Sequence, residues 1–158
     1  MINQPGVVNF VVLFLASFLI WFLLVGLFVL WFSDGKIKKE QVLHALFAFA
    51  LSWVIAEIIK TLFPTMRPFQ IDGRLPLTLT FSSDGAFPSG HTAAAFGLAV
   101  TIWLHDKKIG ILFLVGAITV GVARILANVH WPIDILGGAV VGIVIAIVIE
   151  KFHFKLHA

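Results

Sequence analysis

Three features of the sequence predict an all-α integral membrane bundle. The apolar residues fall in long runs rather than amphipathic stripes, few residues are charged, and polar residues concentrate in the short breaks between runs. Sixty per cent of the 158 residues are hydrophobic, 12% are charged, and mean hydropathy is +1.06, far from the balance of a soluble globular domain. Spans consume most of the chain, so a single domain over residues 1–158 is expected, with any chemistry at the membrane. No cysteine is present, which excludes disulfides, thiolate metal sites and a cysteine nucleophile.

Val7 to Phe32 is the first predicted span, an apolar run carrying Trp21 and Trp31. No Lys or Arg precedes it and no small-residue cleavage site follows, so no removable signal peptide is expected. A polar connector from Ser33 to Glu40, with Lys36, Lys38 and Lys39, turns the chain. The second span runs from Val42 to about Phe63, carries Glu57 and Lys60 toward its far end, and is stopped by Pro64 and Pro68. Residues 64–87 form the long loop, in which the alternation Leu75-Pro76-Leu77-Thr78-Leu79-Thr80-Phe81 predicts a short extended segment or interfacial flap.

The third span begins at Phe87-Pro88-Ser89-Gly90-His91 and ends at Leu104. Pro88 suits a helix entry, Gly90 lets backbone approach a ligand, and the first N–H groups of the helix lack internal partners, so an anion fits there as readily as a plain helix cap does. His105 to Lys108 is a tight connector, and Ile109 to about Ala127 is the fourth span. Asn128-Val129-His130-Trp131-Pro132 is the next break, with Pro132 where a helix begins. Ile133 to Ile149 is the fifth span, with a Gly138/Gly142 spacing suited to close helix packing, and a polar tail follows from Glu150.

Five spans place Lys36, Lys38, Lys39, Lys107, Lys108, Lys151 and Lys155 on one side and Lys60, Arg67, Arg74 and Arg124 on the other. Lys and Arg in short loops mark the cytoplasmic side, so the N-terminus is expected outside and the C-terminus inside. The outside cations weaken that bias and call for another reason. By the parity of the spans, Lys60, Arg67, Arg124, His91, His130 and Asp134 share one membrane face. Ionisable groups at membrane depth are expensive and mark function, and cations with histidines but no carboxylate cluster point to a phosphate.

The residues Lys60-(six residues)-Arg67-Pro68, Pro88-Ser89-Gly90-His91 and Arg124-(five residues)-His130-(three residues)-Asp134, in that order, resemble the type 2 phosphatidic acid phosphatase superfamily over roughly residues 57–142. Its third block usually begins Ser-Arg, where this chain has Ala123-Arg124, which removes one auxiliary hydrogen bond. Many membrane members have six spans rather than five. The resemblance implies that His130 is the phosphorylated nucleophile, oriented by Asp134, and that His91 is the general acid. It also implies that Lys60, Arg67, Ser89, Gly90 and Arg124 cradle the phosphate, with no metal and no cofactor. The spacing agrees, since residues four apart at a helix start let the carboxylate reach back to the ring.

The expected partner is a membrane lipid phosphate in the bilayer, not a nucleic acid, with undecaprenyl diphosphate, phosphatidic acid and phosphatidylglycerol phosphate as candidates. The sequence sets no oligomeric state. The rivals are a protein that binds or moves phosphorylated lipid without hydrolysis, and a vanadium haloperoxidase-like enzyme, whose known forms are soluble. Glu57, one turn before Lys60, is expected to pair with it. Arg74 and Asp84 are assigned either to the loop surface or to substrate contact. His44, His105, His153 and His157 are expected to be solvated.

Overall fold

The computed structural model describes residues 6–32, 39–79 and 84–156, with side chains in the last helix described as far as residue 152. Six helices follow in order: α1 (Val7–Phe32), α2 (Lys39–Leu62), α3 (Pro68–Asp72), α4 (Gly90–His105), α5 (Lys107–Leu126) and α6 (Pro132–Leu156). The described residues include no strand. α1, α2, α5 and α6 are long and apolar enough to cross a membrane. At 16 residues α4 is shorter, about 24 Å at helical rise against a hydrocarbon core of about 30 Å.

α4 is the helix around which the others pack, touching α2, α5 and α6 along its length, while α1 lies outside against α5. Its sequence explains that position. Ala93, Ala94, Ala95 and Ala99 are fully buried, and such small side chains let three backbones approach, which drives association where lipid is as apolar as leucine. The partner helices match. A Cβ at Gly138 would fall 2.5 Å from the Ser89 carbonyl oxygen, and one at Gly142 would overlap the Ala93 carbonyl, so both glycines are close-packing positions against α4. Large residues point outward instead, as with Phe28, Leu112, Leu136 and Phe152, the side a bilayer would cover.

The breaks have local causes. Asp106 ends α4 and caps α5 by accepting the Lys108 and Ile109 N–H groups at 2.9 and 3.0 Å. Gly110 then packs on the Trp103 backbone, where no Cβ fits, closing the α4–α5 hairpin. The sequence leaves α3 unassigned within the long loop. Pro68 sits at its first position, the Gln70 side chain accepts the Arg67 N–H at 2.7 Å, and Gly73 closes it at φ 69°. The expected extended flap is irregular as far as Leu79, with the Leu77 N–H on the Ala127 carbonyl and the Leu79 N–H on Ser17 Oγ. Thr80 and Phe81 lie outside the described residues, as do Lys36, Lys38 and His157 and the side chains of His153 and Lys155.

Candidate active site

The end of the bundle where α4 begins, α2 ends, α5 ends and α6 begins holds the residues expected at the phosphate site, while Arg74 stays outside it. Lys60, Arg67, Ser89, Arg124, His130 and Asp134 are all buried, and His91 is half-buried. His91 lies within electrostatic range of Arg124, His130, Lys60 and Arg67.

His130 occupies the connector between α5 and α6, and its Nδ1 faces Asp134 Oδ2 at 3.4 Å. The same carboxylate oxygen accepts the Trp131 N–H at 2.7 Å, the third helical residue reaching back to the residue before the helix, as in half of a capping box. The helix start itself therefore holds the carboxylate against the imidazole. Asn128 makes the preceding turn with φ at 63°, a left-handed conformation that asparagine tolerates. Burial holds the His130 ring below the usual imidazole range, opposed by its hydrogen bond to Asp134 and aided by Arg124 and Arg67. The ring is then neutral at pH 7, with a nitrogen lone pair available.

The entry to α4 is tied directly to this pair. The Ser89 N–H donates to the Asp134 carbonyl at 3.0 Å, and Thr92 Oγ1 donates to Ser89 Oγ at 3.1 Å. Gly90 keeps the approach to α2 open, since a Cβ there would fall 2.7 Å from Glu57 Oε1 and 3.6 Å from Lys60 Nζ. Trp53 packs its ring on His91 with centroids 4.8 Å apart. Lys60 pairs with Glu57 as the spacing predicts.

The two guanidinium groups differ. Arg67 Nε and Nη2 donate to the Asp84 carbonyl and carboxylate at 3.1 and 2.8 Å, Nη1 reaches the Val129 carbonyl at 3.2 Å, and Nη2 also reaches the Gly85 carbonyl. It clamps the loop before α4 to the connector that carries His130. Arg124 Nη1 donates to the Ala16 carbonyl of α1 at 3.2 Å, while its buried Nε has no hydrogen-bond partner among the described residues. A buried guanidinium nitrogen without an acceptor is costly, and a ligand oxygen would satisfy it. Of the loop residues assigned to surface or substrate, Asp84 pairs with Arg67 and the exposed Arg74 with Asp72. Arg74 also holds the Asp72 carboxyl below its usual range, chiefly through its backbone N–H.

Fold and rim together define a multi-pass membrane protein that holds two histidines inside a ring of cations. The PAP2 superfamily profile matches residues 41–158. The chain is 34% identical over 145 residues to the Bacitracin transport permease protein BcrC of Bacillus licheniformis, covering 92% of this chain and 71% of that one. It is 25% identical over 150 residues to the Undecaprenyl-diphosphatase BcrC of Bacillus subtilis, covering 95% and 77%. The crystal structure of Aquifex aeolicus LpxE superposes with a TM-score of 0.72 at 30% identity, covering 94% of this chain and 88% of that one. This chain belongs to the PAP2 superfamily of membrane lipid phosphatases and is a hydrolase of phosphoric esters.

Proposed function

We propose that this protein is a metal-independent phosphatase of membrane lipids working through a phosphohistidine on His130. The observation that carries the reading is the buried His130–Asp134 pair beside Arg124, whose Nε has no acceptor among the described residues.

With Nδ1 held by Asp134, the other ring nitrogen of His130 attacks phosphorus, and the bond to the lipid-side oxygen breaks. His91 supplies the proton that this oxygen needs to leave. Arg124, Lys60 and the first N–H groups of α4 balance charge on the non-bridging oxygens. Arg67 acts partly through its clamp on both loops. His91 then takes a proton from water, which attacks the phosphohistidine and releases phosphate with a free His130.

The short central helix suits a lipid substrate. If the His105 end lies at the cytoplasmic surface, a helix of about 24 Å places Gly90 just inside the opposite hydrocarbon edge. A phosphate on an outer-leaflet lipid meets it there. This reading takes the protein as one domain with five spans in the cell membrane, N-terminus outside, C-terminus in the cytoplasm and the site on the extracytoplasmic face. A cysteine at exposed Leu75 is then labelled by an impermeant thiol reagent on intact cells, whereas one at exposed Lys108 is not; the opposite pattern puts the site in the cytoplasm.

Among lipids, undecaprenyl diphosphate comes first because the Bacillus subtilis relative is named for it, ahead of phosphatidic acid and phosphatidylglycerol phosphate. Purified protein should release phosphate from one or more of these three in the presence of a chelator. The Bacillus licheniformis relative is named a bacitracin transport permease protein, and the alternative reading is a carrier of lipid phosphate. A carrier would bind the same lipids and release no phosphate.

A further inference from the structure

At the opposite end of the bundle, three residues expected in solvent or in a polar tail meet among three helices. His44 comes from the first turns of α2, His105 is the last residue of α4, and Glu150 lies in α6. Glu150 Oε1 lies 3.0 Å from His105 Nε2 and 3.4 Å from His44 Nδ1. One ligand atom from each residue falls within 4.8 Å of the others. The carboxylate side chain is 8% exposed and the two rings 18% and 17%, so the solvated reading of His44 and His105 is corrected. Parity would have found them, since the start of span two and the ends of spans three and five share one face.

We propose that His44, His105 and Glu150 form a divalent-metal site, with zinc as the ion its donors fit. Two imidazoles with one carboxylate is a known zinc donor set, and ligand atoms on a tetrahedral zinc at about 2.1 Å stand about 3.4 Å apart, close to the 3.4 and 3.0 Å that separate Glu150 Oε1 from the two rings. A buried carboxylate also needs a positive partner. Among the described residues Glu150 pairs with the two histidines and with no lysine or arginine, and the carbonyl end of α4, which favours cations, terminates at His105. With three protein donors, a water would complete the coordination. The ion would join α2, α4 and α6, the helices that carry or adjoin Lys60, His91 and Asp134 at the other end. His91 and His105 lie on one helix about 21 Å apart at helical rise, so the ion takes no part in phosphoryl transfer.

The test uses full-length protein purified without a polyhistidine tag, stripped with chelator, then given Zn²⁺ or Co²⁺ alone. The proposal expects about one ion per chain, an intense visible Co²⁺ spectrum of tetrahedral type, and a Zn²⁺-dependent rise in melting temperature. H105A and E150Q should lose the spectrum and the rise, and because they are remote from His130 their phosphatase activity at 25 °C should match the wild type and report correct folding. If a variant misfolds, the wild-type spectrum decides, because tetrahedral Co²⁺ and octahedral aqueous Co²⁺ differ. Failure of the wild type to bind either ion would show the cluster to be a hydrogen-bonded triad only. Binding undiminished in both variants would place the ion elsewhere. Either result overturns the proposal.

Discussion

The two ends of the bundle each hold two histidines and a carboxylate on or beside the same three helices, yet one cluster is set among buried lysine and arginine and the other is not. At one end, His91, His130 and Asp134 sit with Lys60, Arg67 and Arg124 at the amino-terminal start of α4. At the other, His44, His105 and Glu150 meet at its carbonyl end, with no lysine or arginine paired to Glu150 among the described residues. Helix polarity favours an anion at the first and a cation at the second. The difference teaches that histidine and carboxylate are neutral as to function, and that neighbouring cations and helix ends assign them to phosphate or to metal.

The largest way to break this contrast is to remove Arg124, whose Nε has no acceptor among the described residues. Arg124→Ala should lower kcat about 10²- to 10³-fold, as loss of a positioned oxyanion donor does elsewhere, whereas E150Q should leave kcat unchanged. An Arg124 effect no larger than that of E150Q would erase the distinction between the ends. Gly138→Ala comes next, because its Cβ would meet the Ser89 carbonyl at 2.5 Å. It should cost about 1–3 kcal/mol of stability and lower activity by displacing the α4 entry; unchanged melting and turnover would show that α4 and α6 have room to separate.

A pH experiment sharpens the electrostatic half. Only a neutral ring attacks, and burial lowers the His130 pKa, so the nucleophile stays active to lower pH than an exposed imidazole would. Phosphoenzyme formation from nitrophenyl phosphate, which needs little acid assistance, should hold steady from about pH 7 to about pH 5.5, below the ordinary histidine value of about 6.5. A decline centred near that ordinary value would mean the ring is solvated. The smallest effect belongs to Glu57→Gln. Freed from its carboxylate partner, Lys60 should hold product phosphate a few-fold more tightly, seen as a lower inhibition constant for phosphate; no change would make the pair incidental to the cradle.

How much of this was legible in the sequence depends on how local the cause is. Hydropathy alone locates α1 at Val7–Phe32, and Pro132 marks the start of α6, because both signals lie within the element. α3 escaped because five residues show no period, and its signals, Pro68, Gln70 and Gly73, are spread through a loop. The third span reads as one more crossing helix, but its alanines give no sign in a hydropathy run that it is the shortest and most enclosed. At the site, parity and spacing brought the six ionisable residues together, but not the division of labour between Arg67 and Arg124, which depends on carbonyls of Asp84, Gly85 and Val129 that no motif records. The distal cluster joins residues 44, 105 and 150, which no spacing links and only the parity of the spans brings to one face.

The central claim, that His130 is the attacking residue and His91 the proton carrier, is tested most directly by trapping the intermediate. His130→Ala and His91→Ala are mixed with nitrophenyl phosphate, quenched under conditions that preserve acid-labile phosphate, and read by intact mass and peptide mapping. The account predicts no phosphoenzyme in His130→Ala. In His91→Ala it predicts a phosphohistidine at His130 that accumulates, because departure of an activated leaving group needs little acid while hydrolysis lacks its base. A phosphoenzyme in His130→Ala and none in His91→Ala would contradict it by reversing the two roles.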